Sequence, residues 1–321
     1  MTPVTWSASG EAPGKNRGLR VAQTRSELAA ELARLRSGGA TVAFVPTMGF
    51  LHQGHLALLD QAKELADRVV LSIFVNPLQF GPGEDLDRYP RSLGRDLELA
   101  SARGAVLAFA PSVQEMYPGG PPRVRVNPGP GGDLLCGAFR PGHFEGVLTA
   151  VARLFGLVRP DVAVFGRKDA QQVALVRQMV RDLELGVEIA VAPLVREIDG
   201  LAMSSRNAYL SPAERAAAPA LFQALSAADE AFRTGERRGT ELEAMVRRRL
   251  ESAPPEGSGA PAFRLEYVQA VDAETLDPVE GADPGHLLAA AGWLGGTRLI
   301  DNVVLGAEAS DPRVSMSGRE T

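Results

Sequence analysis

Short apolar runs alternate with amphipathic stretches over the first two-thirds of the chain. Residues 42–45, 69–75, 106–109, 162–165 and 187–191 are nearly continuous in Val, Ala, Leu, Ile and Phe, the pattern of strands buried on both faces. Residues 56–66, 91–103, 147–158 and 171–183 instead carry apolar residues at helical spacing. An earlier helix has a clear start, because Thr24 and Glu27 can satisfy backbone donors reciprocally as a capping box. Leu28, Leu32 and Leu35 supply its apolar stripe, and Gly38-Gly39 its stop. Strands separated by helices predict an α/β domain with a Rossmann-like parallel sheet and helices on both faces, spanning residues 19–195. The Pro- and Gly-rich stretch 118–133 reads as an excursion from that sheet.

The texture then changes. Ser211-Pro212-Ala213-Glu214 is a second strong helix start, with Pro at the first helical position. A long Ala-rich helix is expected after it, then an Arg-rich helix near 240–250, a loop over 252–261, and strands over 263–271, 287–293 and 298–305. Helices followed by successive strands predict a smaller α+β domain over 196–321, which could act as a lid on the first. Residues 1–18, rich in Gly, Pro, Ser and Thr, read as a disordered leader.

Composition narrows the function. The chain has 321 residues, 45% of them hydrophobic and 23% charged, as in an ordinary globular protein of about two domains. A net charge of −5 gives no electrostatic footprint for nucleic acid. No apolar run reaches the ~18 residues of a membrane span, and the N-terminus lacks a signal-peptide core, so a cytoplasmic location is expected. Cys136 is the only cysteine; it cannot form an internal disulfide, and packing is its expected role. Of 34 Lys and Arg residues only Lys15, Lys63 and Lys168 are lysines, which draws attention to the one inside a motif, Lys168.

Five segments carry chemistry, most of them where an expected strand or loop opens into a helix. In Pro46-Thr47-Met48-Gly49-Phe50-Leu51-His52-Gln53-Gly54-His55, two imidazoles stand at a helix N-terminus, where backbone donors and the helix dipole favour anions. Glycines there let a phosphate chain approach the backbone. A zinc pair would lack a nearby Glu or Cys ligand. Asn76 and Gln79, after the next strand, are amides suited to hydroxyls or a carboxylate. Arg140-Pro141-Gly142-His143 offers a cation and a third histidine. In Gly166-Arg167-Lys168-Asp169, Lys168 can meet phosphate and Asp169 can cap the following helix, with Gln172 one turn further on. Met203-Ser204-Ser205-Arg206-Asn207 combines hydroxyls with a guanidinium, a phosphate clamp at the start of the second domain.

In this order, the five segments resemble the pantothenate synthetase family over nearly the whole chain. The first segment resembles that family's form of the His-x-Gly-His signature of nucleotidyltransferases. The resemblance implies an ATP site formed by Met48 to His55, Gly166 to Asp169, Val195 and Met203 to Arg206. His52, His55, Lys168 and Arg206 are its implied catalytic groups. Gln79 and Gln172 are implied to bind pantoate, with Gln79 also near β-alanine, and Asn76, Arg140 and His143 to shape that pocket. It further implies Mg²⁺ and a homodimer formed through the first domain. Acidic residues near Asp96 are implicated in Mg²⁺ binding in some members, making Asp96 the candidate metal ligand, although Arg95 precedes it. The family commonly has Glu or Gln where this chain has Arg167. The implied reaction is ATP-dependent condensation of pantoate with β-alanine through a pantoyl-adenylate, with AMP and pyrophosphate released and no protein nucleophile needed. The alternatives are a nucleotidyltransferase that leaves AMP on a phosphorylated acceptor, and an ATP-binding sensor without catalysis.

Overall fold

The computed structural model of the chain describes residues 18–252 and 261–307. The expected leader, apart from Gly18, and the interior of the expected 252–261 loop lie outside the described residues. The first part of the chain runs β1 (Arg20–Ala22), α1 (Arg25–Leu35), β2 (Val42–Thr47), α2 (Gln53–Leu65), β3 (Arg68–Ile73), α3 (Leu93–Ala102) and β4 (Leu107–Phe109). It continues through the short α4 (Val113–Met116) and α5 (Cys136–Phe139) to α6 (His143–Val158), β5 (Val162–Gly166), α7 (Ala170–Asp182) and β6 (Glu188–Ala192). The second part comprises α8 (Pro212–Ala217), α9 (Ala220–Arg233), α10 (Gly239–Glu251), β7 (Arg264–Val271), β8 (Leu287–Leu294) and β9 (Thr297–Val304).

Strands β1–β6 form one parallel sheet in the order β1-β4-β3-β2-β5-β6, and β7–β9 a separate antiparallel sheet. Successive side chains of a strand point to opposite faces, and in β2 both faces are apolar and closed. Val42 and Phe44 join the core under α1, α6 and α7, while Ala43 and Val45 join the core under α2 and α3. All four are fully buried, which is why the strand shows no polar alternation. The first core continues into Val271, Leu276, Leu287 and Ala289, so the second sheet rests on the first domain through apolar surface.

Local chemistry sets the boundaries. The Thr24–Glu27 capping box forms as expected, and a second one forms between Ser211 and Glu214. The long Ala-rich helix expected after Ser211 is two helices, α8 and α9, divided at Ala218-Pro219, since Pro has no N–H for the helical ladder. Helix α6 begins at His143, one turn earlier than its apolar pattern indicates, because Gly142 takes a left-handed conformation and ends the preceding turn. Strand β1, three residues long, is too short to show periodicity and exists through its parallel pairing with β4.

The strand order positions the site. From β2 the chain moves outward one way through β3 and β4, then returns to add β5 and β6 on the other side. Ligands of open α/β sheets bind at such a reversal, beyond the carboxyl ends of the strands. Strands β2 and β5 pair only at Ala43–Val162 and Phe44–Ala163. Their carboxyl ends, which lead into the His52 and Lys168 segments, are not paired with each other, and a cleft opens there.

Candidate active site

The cleft has a volume of about 230 Å³ and gathers Met48, His52, His55, Asn76, Gln79, Lys168, Gln172, Val195, Met203 and Arg206 from distant parts of the chain. A smaller chamber of about 80 Å³ adjoins it beneath the second sheet, sharing Arg140, His143, Lys168, Asp169, Gln172, Ser204 and Arg206.

Helix α2 is capped by its own histidines. His52 Nδ1 accepts from the Gly54 N–H at 3.1 Å, and His55 Nδ1 accepts from the His52 N–H at 3.3 Å. An accepting ring nitrogen carries no proton, so each neutral ring holds its proton on Nε2. The rings lie 4.1 Å apart between centroids, and the pair forms a double N–H donor lining the cleft. Gly54 is required because a Cβ there would stand 2.9 Å from His52 Cε1. Burial first, then the neighbouring His55 and Lys168, lowers the His52 pKa to about 2. Burial, followed by Lys168, lowers that of His55 to about 4.

The opposite wall is built on Asn76, which is 2% exposed. Its Nδ2 donates to Gln79 Oε1 at 2.9 Å and to the Gly146 carbonyl at 3.0 Å; its Oδ1 accepts from the Leu78 N–H and from the Tyr117 hydroxyl. Asn76 thus has its hydrogen-bonding capacity filled by protein and orients the Gln79 amide, whose Nε2 also reaches Met48 Sδ at 3.3 Å. His143 Nδ1 donates to the Gln79 carbonyl at 2.8 Å and its Nε2 accepts from Arg140 Nη1 at 3.0 Å. Burial and then Arg140 lower its pKa to about 4. Arg140 is also paired with Glu84 at 2.5 Å.

On the third side, Gly166 ends β5 and the 3₁₀ turn Arg167–Asp169 follows. Lys168 and Asp169 line the cleft and Arg167 does not. The turn is held from the second domain, where Asn302 Nδ2 donates to the Arg167 and Lys168 carbonyls, each at 3.1 Å. Met203 N–H bonds the Val195 carbonyl at 3.0 Å, and the Ser204 side chain caps the 3₁₀ turn Ser205–Tyr209. Ser205 Oγ donates to the Phe50 carbonyl at 3.4 Å. Arg206 Nε and Nη2 grip the Asp85 carboxylate at 2.8 Å each, an orientation that leaves Nη1 for a ligand.

The structure therefore narrows the expected set. Gly49, Phe50, Leu51 and Gln53 do not line the cleft. Gln53, the first residue of α2, is exposed, and the Phe50 and Leu51 amides face Asp96. Asp96 presents no open edge to a metal ion: it is buried, and its two oxygens accept from Phe50 N–H at 2.8 Å and Leu51 N–H at 2.7 Å. No group of three or more His, Cys, Asp or Glu side chains among the described residues could hold a metal ion. Arg167→Glu is accordingly expected to leave the Michaelis constant for ATP nearly unchanged in steady-state assays; a several-fold rise would place its guanidinium at the triphosphate. Sequence reading missed Glu84, Asp85, Gly146, Asn302 and Tyr89, which also lines the cleft. Only the acidic Glu84-Asp85 pair, in a chain whose cleft segments are rich in arginine, was a usable signal.

The three depressed imidazole values fix a pH dependence. Below the ordinary histidine pKa of about 6.5 the unfolded chain takes up protons that His52, His55 and His143 refuse in the folded state. Their contribution to stability is full above about pH 6.5 and is lost as pH falls toward 4. The urea midpoint should drop between pH 6.5 and 4.5, less steeply in a His55→Gln variant; parallel profiles for the two proteins would contradict the burial of this ring.

Comparison with known proteins identifies the family. A sequence model of the family described as pantoate-beta-alanine ligase matches residues 20–304. A pantothenate synthetase of Nocardioides sp. strain JS614 is 52% identical over 312 residues, covering 94% of this chain and 90% of the relative. One from Pseudomonas entomophila is 50% identical and covers 90% of this chain and 99% of the relative. The crystal structure of pantothenate synthetase from Thermus thermophilus superposes with a TM-score of 0.82 at 49% identity, over 89% of this chain and 99% of that one. A pantoate-beta-alanine ligase from Francisella tularensis, complexed with beta-gamma ATP and beta-alanine, gives 0.72 at 30% identity over 89% and 97%.

Proposed function

This chain belongs to the pantoate-beta-alanine ligase family, and we propose that it joins pantoate to β-alanine through a pantoyl-adenylate, releasing AMP and pyrophosphate. A carboxylate is a poor acyl donor at neutral pH, so it must first be activated. The pantoate carboxylate attacks the α-phosphorus of ATP and displaces pyrophosphate. The amine of β-alanine then attacks the acyl carbon, and AMP leaves with the bridging oxygen. Positioning and charge stabilisation carry both steps.

The observation that carries this reading is the convergence of the His52–His55 donor pair, Lys168 and Arg206 on one cleft, facing the amides of Gln79 and Gln172. Neutral Nε2–H groups donate to phosphate oxygens without needing to titrate. Lys168 supplies positive charge, and Arg206, held by Asp85, presents its remaining edge. Gln79 and Gln172 would orient pantoate, and Arg140 and His143 would face the β-alanine side. Mg²⁺ is proposed to arrive with the phosphates of ATP, keeping water as its other ligands. A homodimer is proposed on the family resemblance alone, and a cytoplasmic location as the setting of a biosynthetic ligase; no described helix is long and apolar enough to cross a membrane.

The test is product analysis with one component omitted at a time. Pantothenate, AMP and pyrophosphate should appear together only when ATP, pantoate and β-alanine are all present. ADP as product, or a dinucleotide that retains the adenylate, would overturn the reading.

A further inference from the structure

Among the groups around the cleft, Asp96 is the one carboxylate committed entirely to backbone amides. The segment between β2 and α2 turns through two left-handed residues, Gly49 at φ 83° and Phe50 at φ 50°. For a phenylalanine such a conformation is strained and needs surrounding structure to hold it. Asp96, in the first turn of α3, provides that hold. Its Oδ2 accepts from the Phe50 N–H and its Oδ1 from the Leu51 N–H, at 2.8 and 2.7 Å, as charge-assisted hydrogen bonds. Asp96 is 1% exposed, so water cannot substitute for it. The neighbouring Arg95 adds a third contact, Nη1 donating to the Leu51 carbonyl at 2.9 Å, with its guanidinium 5.7 Å from the centre of the Phe50 ring. A Cβ at position 49 would approach Asp96 Oδ2 to 3.0 Å, so the turn and the carboxylate fit each other closely.

The next residue after this grip is His52, whose N–H bonds the His55 ring. We propose that Asp96 is a positioning residue for adenylation: by fixing the Phe50-Leu51 backbone it sets the direction in which His52 and His55 present their Nε2 protons. It touches no substrate itself. The same commitment takes the Phe50 and Leu51 amides away from phosphate, leaving the side chains to meet it. The inference rests on the reading of the cleft as an adenylating site.

The test is Asp96→Asn, which keeps the shape but turns one acceptor into an NH₂ facing a backbone N–H. The imidazole nitrogens of His52 and His55 in the substrate-free protein should shift in nitrogen-15 NMR, while those of His286 stay in place. Pantoate-dependent exchange of pyrophosphate into ATP should lose ~10–100-fold in kcat, as for a small misplacement of reacting groups, with a smaller change in the Michaelis constant for ATP. Unchanged His52 and His55 signals would overturn the proposal whatever the rate. So would recovery of the rate by added Mg²⁺, which would make Asp96 a metal ligand. Should the Asn variant not fold, Asp96→Glu carries the test by displacing the carboxylate from the Phe50 and Leu51 amides: a shift of the same two signals is expected, and none would overturn the proposal. Absence of exchange in the unsubstituted protein would reject the adenylating reading, while the histidine signals would still report on Asp96.

Discussion

Lys168→Ala is expected to lower kcat/KM for adenylate formation by ~10²–10³-fold, the cost of losing one charge-stabilising group in a preorganised site, while the protein still folds. Lys168 lines both the cleft and the adjoining chamber. Arg140 and Arg206 are paired with Glu84 and Asp85, and Lys168 enters neither pair. Its removal therefore takes away positive charge that the arginines cannot replace without abandoning their partners. The turn that carries it is held by Asn302 through main-chain carbonyls, so the backbone should survive the loss of the side chain. Single-turnover formation of AMP and a urea unfolding curve would check this. Normal turnover in a folded variant, or a variant that does not fold, would contradict the assignment.

Gly146→Ala should be nearly as damaging, although it adds one methyl group to a helix. Gly146 lies in the first turns of α6, where the 3₁₀ turn Pro77–Gln79 crosses it. A Cβ there would stand 2.2 Å from the Leu78 carbonyl oxygen and 2.7 Å from the Gln79 nitrogen. Both are backbone atoms, so no rotamer change relieves the clash. Helix α6 is anchored by Phe144, Val147, Leu148 and Val151, all buried, and the turn must move instead. That movement breaks the Asn76–Gly146 hydrogen bond and displaces the Gln79 amide. A loss of ~10²-fold in kcat/KM for pantoate is expected from such misplacement, with ~1–3 kcal/mol of stability lost to overpacking. ATP binding, which depends on the other walls, should change little in calorimetry. Pantoate affinity equal to the unsubstituted protein would show that the turn accommodates the methyl.

The fold was legible where burial imposes a pattern. β2, closed on both faces, had to be apolar throughout, and the Thr24–Glu27 and Ser211–Glu214 boxes mark helix starts because their chemistry is local. β1 was not legible, because it depends on a neighbour far along the chain; the division between α8 and α9 was signalled by Pro219, although the Ala-rich composition around it reads as one helix. The site followed the same rule. His52, His55, Lys168 and Arg206 each stand in a local motif beside a helix or turn, and the fold brings all four to one cleft. Asp85, Gly146 and Asn302 could not be picked out, because their roles exist only across contacts between segments distant in sequence. Asp96 stood out only through the family resemblance, and its partners, two amides 45 and 46 residues earlier, are invisible until the loop is folded. Arg167, next to Lys168 in sequence, does not line the cleft with it.

The central claim is that pantoate is activated as an adenylate before β-alanine attacks, and the fate of one oxygen tests it most directly. Pantoate labelled with oxygen-18 in both carboxylate positions would be incubated with the enzyme, ATP and β-alanine, and the products read by mass spectrometry. Attack by the carboxylate on the α-phosphorus leaves the bridging oxygen with AMP when the amine displaces it. One labelled oxygen should therefore appear in the phosphate of each AMP, with pyrophosphate unlabelled. Unlabelled AMP formed alongside pantothenate would contradict the adenylate route.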